Sequence, residues 1–415
     1  MPEMKDSGIE WVGLCPSHWE IMANKYIMKK IKDVKPKYAG EDILSLTMNG
    51  VIVRDLDAGG KMPTSFDGYQ TLYPNNLLMC LFDYDVTPRC IGLIKNNGVC
   101  SPAYSQFVMK NDNCAEYYYY YYLMIDNTKE LLHLAKNLRH SFTEEQLGSI
   151  NAPVPPIEEQ KAIAKVLDVK CFEIDALVAD IQSEIEILEE YKKSVITEAV
   201  TKGLNPDARM KDSGVQWIGM MPEHWECIKG KYVLKYLQKP VRDDDGVITC
   251  FRDGEVTLRS NRREDGFTMS DKEIGYQGID VGDLVVHGMD GFAGSIGISD
   301  SRGKASPVLN VLDTEMDKRY VMYYLRSMAY SDVFLALATG IRVRSCDLRW
   351  NKLAELLYPV PPLDEQIKIS AYIDDTLEEA NAVIAIKEKQ LETLEEYKKS
   401  VIYEYVTGKK EVLLS

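Results

Sequence analysis

The chain has 415 residues, an apolar fraction of 45% and a formal net charge of −15 at pH 7. These totals predict a folded globular protein of two or three domains. The sequence contains no run of about 18 apolar residues, and its N-terminus lacks an apolar signal region. We therefore expect a cytoplasmic protein without a membrane span.

The cysteines and histidines give no sign of a covalent or metal framework. The nine cysteines are scattered and odd in number, and none forms a Cys-x-x-Cys pair. The five histidines show no spacing typical of metal ligands. The sequence therefore indicates neither a set of disulfides nor a zinc site.

The first module, about residues 11–153, begins with a tryptophan-rich segment and a basic run. Apolar stretches bounded by Gly, Asn, Asp and Pro predict strands at 43–46, 51–54, 77–82, 91–94 and 105–109. Residues 115–137 are predicted to be helical and contain six consecutive tyrosines. Stacking on nucleic-acid bases is one use for tyrosines. Core packing with hydroxyls at the rim is the preferred interpretation, because six consecutive residues point all round a helix.

Residues 157–201 and 363–407 are predicted to form two long helices of equal length. Prolines precede each start, acidic residues occupy each first turn, and Gly203 and Gly408 follow the last periodic residues, as helix ends favour. Apolar residues recur every seven positions, which is typical of a coiled-coil seam. The predicted seam comprises Leu167, Ile174, Ile181, Leu188, Val195, Ile373, Leu377, Ile384, Leu391, Leu394 and Val401. An ordinary long helix packed on its own domain is the alternative.

The second module, about residues 217–359, follows a polar linker at 204–213. Strands are predicted at 247–251, 283–287 and 294–298, and a second tyrosine-rich helix at 320–338. We expect each module to be α+β, with a twisted sheet and one or two helices.

The two halves form a tandem duplication with an offset of 206 residues, from position 4 to 210 and from 154 to 360. The recurring residues include Trp11, His18 and Trp19 with Trp217, His224 and Trp225, the helix starts at 154–160 and 360–366, and the helix ends at 188–196 and 394–402. The two halves have similar sequences at their ends and different sequences in their middle regions. This pattern indicates a shared frame that holds two modules with different recognition tasks.

The negative charge lies mainly in the long helices. Residues 157–201 and 363–407 each carry eleven acidic and five basic residues, so they hold −12 of the net −15. The remainder is nearly neutral and permits local basic patches. The planar fork of arginine suits guanine and phosphate. Candidate DNA-binding residues are Arg54, Lys61, Arg89, Lys95 and Arg139 in the first module, and Arg259, Arg262, Arg263, Arg302, Lys304, Arg342 and Arg344 in the second. Ordinary surface charge is the alternative for each.

Motifs for catalysis are absent from the sequence. Gly291, Gly294 and Gly297 lead into strand-like sequence, which indicates a glycine-rich hairpin and not a dinucleotide site. Five residues separate Gly297 from Gly303, and Ala305 stands where a P-loop needs Ser or Thr. The chain also lacks an Asn-Pro-Pro-aromatic motif for amino methylation and a nucleophilic catalytic set. We therefore expect no catalytic residues and no metal site.

The repeated Trp segment, the repeated Val-Pro-Pro start and the repeated Leu-Glu-Glu-Tyr-Lys-Lys-Ser-Val-Ile end resemble the specificity subunit of type I restriction–modification systems. The resemblance covers the whole chain. It implies target recognition domains at 1–153 and 204–359, spacer helices at 154–203 and 360–408, and a C-terminal tail at 409–415. The implied fold is α+β, a tandem duplication whose two helices form an antiparallel coiled coil.

The resemblance also implies a function without catalysis by this chain. Each domain would read one half of a bipartite double-stranded DNA target, and the helices would set the unread gap. Two methyltransferase subunits and motor–nuclease subunits would be the partners. S-adenosylmethionine, ATP and magnesium would be bound by those partners, in a phage-defence complex.

Two other functions remain open. The chain could be a structural adaptor, in which a coiled coil presents two protein-binding modules without DNA specificity. It could also be a self-sufficient DNA methyltransferase, although the sequence offers no place for S-adenosylmethionine.

Overall fold

The computed structural model describes residues 3–57, 63–135, 140–262, 274–337 and 348–412. The chain divides into two compact units. The first comprises Met1–Ile181 and Glu388–Ser415, and the second comprises Gln182–Lys387. Each unit thus contains one globular module, a segment of the first long helix and a segment of the second.

The first unit is built on an antiparallel four-stranded sheet whose strands, in spatial order, are β4 (Met28–Ile31), β11 (Ser105–Met109), β8 (Leu77–Met79) and β9 (Ile91–Leu93). Its elements are β1 (Met4–Asp6), β2 (Leu14–Pro16), β3 (Glu20–Ala23), α1 (Asn24–Ile27), β4 (Met28–Ile31), β5 (Leu44–Thr47), β6 (Gly50–Val53), β7 (Gln70–Leu72), β8 (Leu77–Met79), β9 (Ile91–Leu93), β10 (Gly98–Cys100), β11 (Ser105–Met109), α2 (Ala115–Thr128), α3 (Glu144–Ser149), β12 (Asn151–Val154) and the long helix α4 (Ile157–Lys202), which continues into the second unit. The remaining strands of the unit form two-stranded antiparallel sheets, such as β3 with β12.

The second unit repeats this plan with a sheet whose strands, in spatial order, are β16 (Lys235–Leu237), β23 (Leu309–Asp313), β20 (Leu284–His287) and β21 (Ile296–Ile298). Its elements are β13 (Met210–Asp212), β14 (Met220–Pro222), β15 (Glu226–Lys229), α5 (Gly230–Val233), β16 (Lys235–Leu237), β17 (Ile248–Cys250), β18 (Val256–Leu258), β19 (Gln277–Ile279), β20 (Leu284–His287), β21 (Ile296–Ile298), β22 (Gly303–Ala305), β23 (Leu309–Asp313), α6 (Lys318–Tyr330), α7 (Val333–Ala336), α8 (Trp350–Leu353), β24 (Leu357–Val360) and the second long helix α9 (Leu363–Val406), which continues into the first unit.

The described residues differ from the sequence prediction mainly in short elements. The strand predicted at 105–109 matches β11, but the helix predicted at 115–137 ends at Thr128. It ends there because Lys129 adopts a left-handed conformation with φ 53°. The helix predicted at 320–338 ends at Tyr330. Gly291, Gly294 and Gly297 lie in the hairpin that joins β20 to β21, as predicted.

The tyrosines of α2 pack in the core and use their hydroxyls to fix neighbouring elements. Tyr117 donates to the carbonyl oxygen of Val406 at 3.0 Å, and Tyr120 donates to Asp168 at 2.7 Å. Five of the six tyrosines are buried and Tyr119 is half-buried. The preferred interpretation, core packing with satisfied hydroxyls, is therefore confirmed.

Helix α6 of the second unit makes the same set of bonds. Tyr320 donates to the carbonyl oxygen of Val200 at 3.0 Å, and Tyr323 donates to Asp374. In each unit one tyrosine therefore reaches the end of one long helix, and another reaches the fourth turn of the other long helix.

The heptad pattern of the long helices coincides with their burial. In α4 and α9 every predicted seam residue is buried or half-buried, whereas most residues between them are exposed. Leu167, Ile174 and Val195 of α4 and Ile373, Ile384 and Val401 of α9 are buried. The half-buried seam residues are Ile181, Leu188, Leu377, Leu391 and Leu394.

Within each unit the two helix segments run antiparallel. In the first unit, Lys398 of α9 contacts Asp175 of α4, and Leu167 shares a core cluster with Val401. In the second unit, Lys387 of α9 contacts Glu184 of α4. Ile196 and Ile373 share a core cluster there. Lys387 and Lys398 are thus each paired with an acid of the facing helix segment.

A buried tryptophan joins the start of one helix to the end of the other in each unit. Trp19 Nε1 donates to Glu159 Oε2 at 2.8 Å, and His18 Nε2 lies 2.7 Å from the same carboxylate. A β-carbon on Gly408, whose φ is +71°, would lie 2.8 Å from the Trp19 ring. Glycine is therefore required there both by conformation and by space.

The second unit contains the same junction. Trp225 Nε1 donates to Glu365 at 3.1 Å and His224 lies 2.9 Å from that carboxylate. Gly203, with φ +73°, lies against the Trp225 ring.

In the described residues, no helix is both long enough and apolar enough to cross a bilayer.

We expect Glu159→Ala to lower the free energy of unfolding of the first unit by about 1.5–3 kcal/mol, because the buried Trp19 indole loses a charged acceptor. Glu158→Ala is the matched control. It also removes one acid from the first turn, so the helix-dipole contribution cancels, and its effect should stay within about 0.5 kcal/mol. Urea unfolding followed by tryptophan fluorescence measures both, and equal effects would contradict the junction.

Candidate nucleic-acid interface

The candidate DNA-binding residues divide into those that the structure describes and those that it does not. Lys61, Arg139, Arg263, Arg342 and Arg344 lie outside the described residues. Those described are Arg54, Arg89 and Lys95 in the first unit, and Arg259, Arg262, Arg302 and Lys304 in the second. Their DNA-binding role stays a prediction, and their surroundings differ sharply.

Arg89 lies in the hairpin loop between β8 and β9 and is held by α2. Its guanidinium lies 3.2 Å from Asp126 Oδ2 and donates to Asn127 Oδ1 at 2.9 Å. The side chains of Arg89 and Asp126 are only 15% and 2% exposed. Lys129 also contacts Asp126, at 2.7 Å. This arginine is therefore part of a nearly buried charge cluster that fixes the hairpin to the helix.

Arg302 precedes β22 and belongs to a network of three acids and two bases. Its Nε donates to Asp245 Oδ1 at 3.0 Å, and Asp280 lies 3.9 Å away. Lys239 contacts both Asp280 and Asp283, at 2.8 and 2.6 Å. The Asp245 side chain is 2% exposed. A phosphate would have to compete with these carboxylates for Arg302.

Arg262 lies beside the β17–β18 hairpin on a more open surface. Its guanidinium is 2.7 Å from Asp253 and 3.1 Å from Glu255, and it stacks 4.2 Å above the Phe251 ring. Both carboxylates are about half exposed, at 55% and 47%. Arg259 Nε donates to Thr249 Oγ1 at 3.3 Å on the same hairpin. The structure thus brings Arg259 and Arg262 to one hairpin.

The other candidates lie at strand ends. Arg54 follows β6 and is half-buried, and Lys95 follows β9 and is exposed. The strands β6 and β9 pack together, since a β-carbon on Gly92 would meet Val51 at 2.6 Å. Lys304 lies within β22 and is half-buried. Arg54 and Lys304 each have a further contact within the protein.

A basic surface around α1 was left out of the sequence-based candidates. Lys25, Lys29, Lys30 and Lys110 line a small cavity of about 140 Å³ together with Glu144. Lys25 lies over the exposed ring of Tyr26 at 5.1 Å. The second unit has Lys231 over the exposed ring of Tyr232, at 5.3 Å. The shared offset of 206 residues is the signal that could have found this Lys-Tyr pair.

The repeated helix end presents a second surface with matched geometry. Tyr191 and Tyr397 are 48% and 51% exposed. Each is flanked by an ion pair, Glu190–Lys193 at 2.6 Å in one copy and Glu396–Lys399 at 2.7 Å in the other. Nine consecutive residues are identical in the two copies, although several of their side chains are exposed.

We expect Arg89→Met to lower the free energy of unfolding by about 2 kcal/mol, because Asp126 stays buried with one donor fewer. Lys95→Met is the control, since this exposed residue should change stability by less than about 0.5 kcal/mol. Chemical unfolding of both variants measures the change in the free energy of unfolding. A destabilisation of Lys95→Met equal to that of Arg89→Met would contradict the structural role assigned to Arg89.

Residues 22–186 match the model of the type I restriction modification DNA specificity domain. Two relatives come from Methanocaldococcus jannaschii. The putative type I restriction enzyme MjaX specificity subunit is 26% identical over 282 residues, covering 65% of this chain and 61% of the relative. The type I restriction enzyme MjaVIII specificity subunit is 28% identical over 278 residues, covering 63% and 62%. The chain thus spans about three fifths of the length of these curated relatives.

Solved structures share the fold over nearly the whole chain. A chain from a structural study of complex assembly and conformational transition of the type I R-M system aligns with a TM-score of 0.66 and 13% identity, covering 94% of this chain and 98% of that one. The HsdS subunit from Thermoanaerobacter tengcongensis aligns with a TM-score of 0.50 and 12% identity, covering 95% and 98%. The α+β architecture predicted from the sequence is confirmed, and residues 22–186 of the chain are similar to the type I restriction modification DNA specificity domain.

Proposed function

We propose that this protein is the DNA-recognition subunit of a type I restriction–modification complex, and that each module reads one half of a bipartite target. The observation that carries the proposal is a frame repeated twice around different loops. Sheet order, tryptophan junction and tyrosine hydroxyl bonds recur in both units. The loops held by that frame differ in sequence and length.

The hairpins at the end of the two sheets illustrate this divergence. The β8–β9 hairpin closes with Cys80 opposite Cys90, whereas the β20–β21 hairpin closes with His287 opposite Ser295. Arg89 lies in the first hairpin, and three glycines lie in or beside the second. Different side chains on equivalent supports are what two different half-sites require, because base edges are read by specific donors and acceptors.

The long helices are proposed to form an antiparallel coiled coil that spaces the half-sites. The heptad burial and the opposed order of contacts in each unit support this arrangement. The tandem duplication then supplies the two equivalent halves. Half-site separation fixed by a rigid frame is a general device of dimeric DNA readers.

The repeated Tyr191 and Tyr397 surfaces are proposed to dock two copies of one partner, the methyltransferase subunit. The residue type changes between the copies at the equivalent helix positions Cys171 and Leu377, which are buried and half-buried, while the exposed tyrosines and their flanking ion pairs are identical. An exposed tyrosine is a typical interface anchor. Identical anchors suit identical partners, and motor–nuclease subunits would complete the complex.

In this proposal the reaction chemistry belongs to the partners. They would bind S-adenosylmethionine, ATP and magnesium and transfer a methyl group to an adenine removed from the base stack. This chain contributes sequence recognition and alignment. Its net charge of −15 implies that partner subunits supply part of the affinity for the phosphate backbone.

Genome-wide mapping of N6-methyladenine tests the function. The chain and a partner methyltransferase subunit are expressed together in a host free of this modification. We expect a bipartite motif with a fixed gap that disappears when this chain is omitted. Replacing residues 1–153 by the matching segment of a homologue should change one half-motif and keep the other. Methylation that does not depend on this chain would contradict the proposal and favour the adaptor function.

Native mass spectrometry tests the docking surface. Tyr191→Ala and Tyr397→Ala should each weaken one partner site at least about tenfold, leaving one methyltransferase subunit per chain, and the double variant should bind none. Phe172→Ala is the matched control. Phe172 is an exposed aromatic residue of α4, but Glu378 occupies the equivalent position in α9. Two bound subunits on the double variant would refute this surface.

A further inference from the structure

Two cysteines face each other across the β8–β9 hairpin. Met79 pairs with Ile91 at the end of the antiparallel ladder, and Cys80 and Cys90 are the residues that follow this pair into the loop. The Cys80 N–H donates to the Cys90 carbonyl oxygen at 2.9 Å. Directly opposed residues of antiparallel strands have Cα atoms about 4.5–5.5 Å apart. That spacing lies within the range of roughly 4.4–6.8 Å found in disulfides.

The surroundings of the two thiols favour one negative charge on the pair. The hydrogen bond from the Cys90 thiol lowers the pKa of Cys80 to about 7, against the effect of burial. The same bond, together with burial, raises the pKa of Cys90. Lys129 Nζ lies 3.4 Å from Cys90 Sγ and brings a positive charge to the pair. A thiolate beside a lysine is the reactive form of cysteine.

This arrangement is special to the first module. The equivalent hairpin of the second unit pairs His287 with Ser295, through the bond from His287 N–H to the Ser295 carbonyl oxygen at 3.0 Å. Among the described residues, no other cysteine lies opposite a second cysteine beside a lysine. At Cys100, for example, burial raises the pKa to about 12. The facing pair is therefore not explained by the frame that both units share.

We propose that Cys80 and Cys90 form a redox-responsive dithiol that peroxide converts to a disulfide. The Cys80 thiolate attacks one oxygen of hydrogen peroxide, which breaks the O–O bond, gives a sulfenic acid on Cys80 and releases hydroxide that takes up a proton to become water. The Cys90 sulfur then attacks the Cys80 sulfur, expelling a second water after proton transfer. Two thiols are oxidised by two electrons, and one peroxide is reduced to two waters.

The disulfide would close the hairpin loop that carries Arg89. Asp126 accepts both from the Cys90 N–H, at 3.0 Å, and from Arg89. Thus the new bond would lie within the charge cluster that already ties this loop to α2. The inference concerns a modification of the first module and does not depend on the proposed DNA-recognition function.

Peptide mapping of the full-length protein tests the proposal. The reduced protein is treated with hydrogen peroxide, free thiols are alkylated, and the denatured chain is digested with trypsin. Cleavage after Arg89 places Cys80 and Cys90 in separate peptides. We expect these two peptides to appear joined, 2 Da below their summed mass, and to separate after dithiothreitol. Cys100 should remain alkylated to the same extent as in untreated protein.

The peptide map of the wild-type protein tests the proposal by itself. A variant that fails to fold therefore does not affect the test. Cys80 and Cys90 that remain fully alkylated, or Cys80 found as a sulfinic acid without cross-linking, would overturn it. Cys90→Ser gives a further check, because it should accumulate oxidised Cys80 that a dimedone probe captures. Cys100→Ser is the control and should retain the cross-link.

Discussion

In each unit, the rest of the frame depends on the contacts made by one buried indole ring. Trp19 meets the first turn of α4 through Glu159, the end of α9 through Gly408, and α2 through an edge-to-face contact with Tyr117 at 6.5 Å. A buried indole N–H needs an acceptor, and the carboxylate at the helix start provides it. This single side chain thereby fixes where one helix begins relative to where the other ends.

The two units share the contacts of the frame more closely than they share the sequence spacing between the contacting residues. Tyr117 and Tyr320 are 203 residues apart, whereas the helix starts are 206 apart. The variable part of the second module is therefore three residues shorter before its tyrosine helix and three residues longer after it. Both tyrosines nevertheless reach the equivalent carbonyl group, of Val406 or Val200. Loops of different length are tolerated because the hydroxyl bonds, buried and satisfied, set the position of the helix.

The sequence predicts best those elements whose signals lie within the element itself. Prolines, acidic first turns, heptads and terminal glycines place the long helices to within one or two residues of Ile157–Lys202 and Leu363–Val406. Short strands were missed because their partners are remote. Asn151–Val154, for example, pairs with Glu20–Ala23. The ion-pair partners of the arginines could not be predicted for the same reason. Nothing near Arg89 or Arg302 in the sequence identifies Asp126 or Asp245 as the partner.

Burial of the partner carboxylate divides the arginines into two groups. Asp126 and Asp245 are each 2% exposed. Removing Arg302 would leave the buried Asp245 without its cation, and removing Arg89 would leave Asp126 with Lys129 alone, so either loss is costly. Asp253 and Glu255 are about half exposed, and such surface pairs contribute only about 0–1 kcal/mol. A phosphate or a guanine edge can replace those acids at little cost. Among the described candidates, the β17–β18 hairpin with Arg262 is therefore the surface best able to exchange its internal partners for DNA.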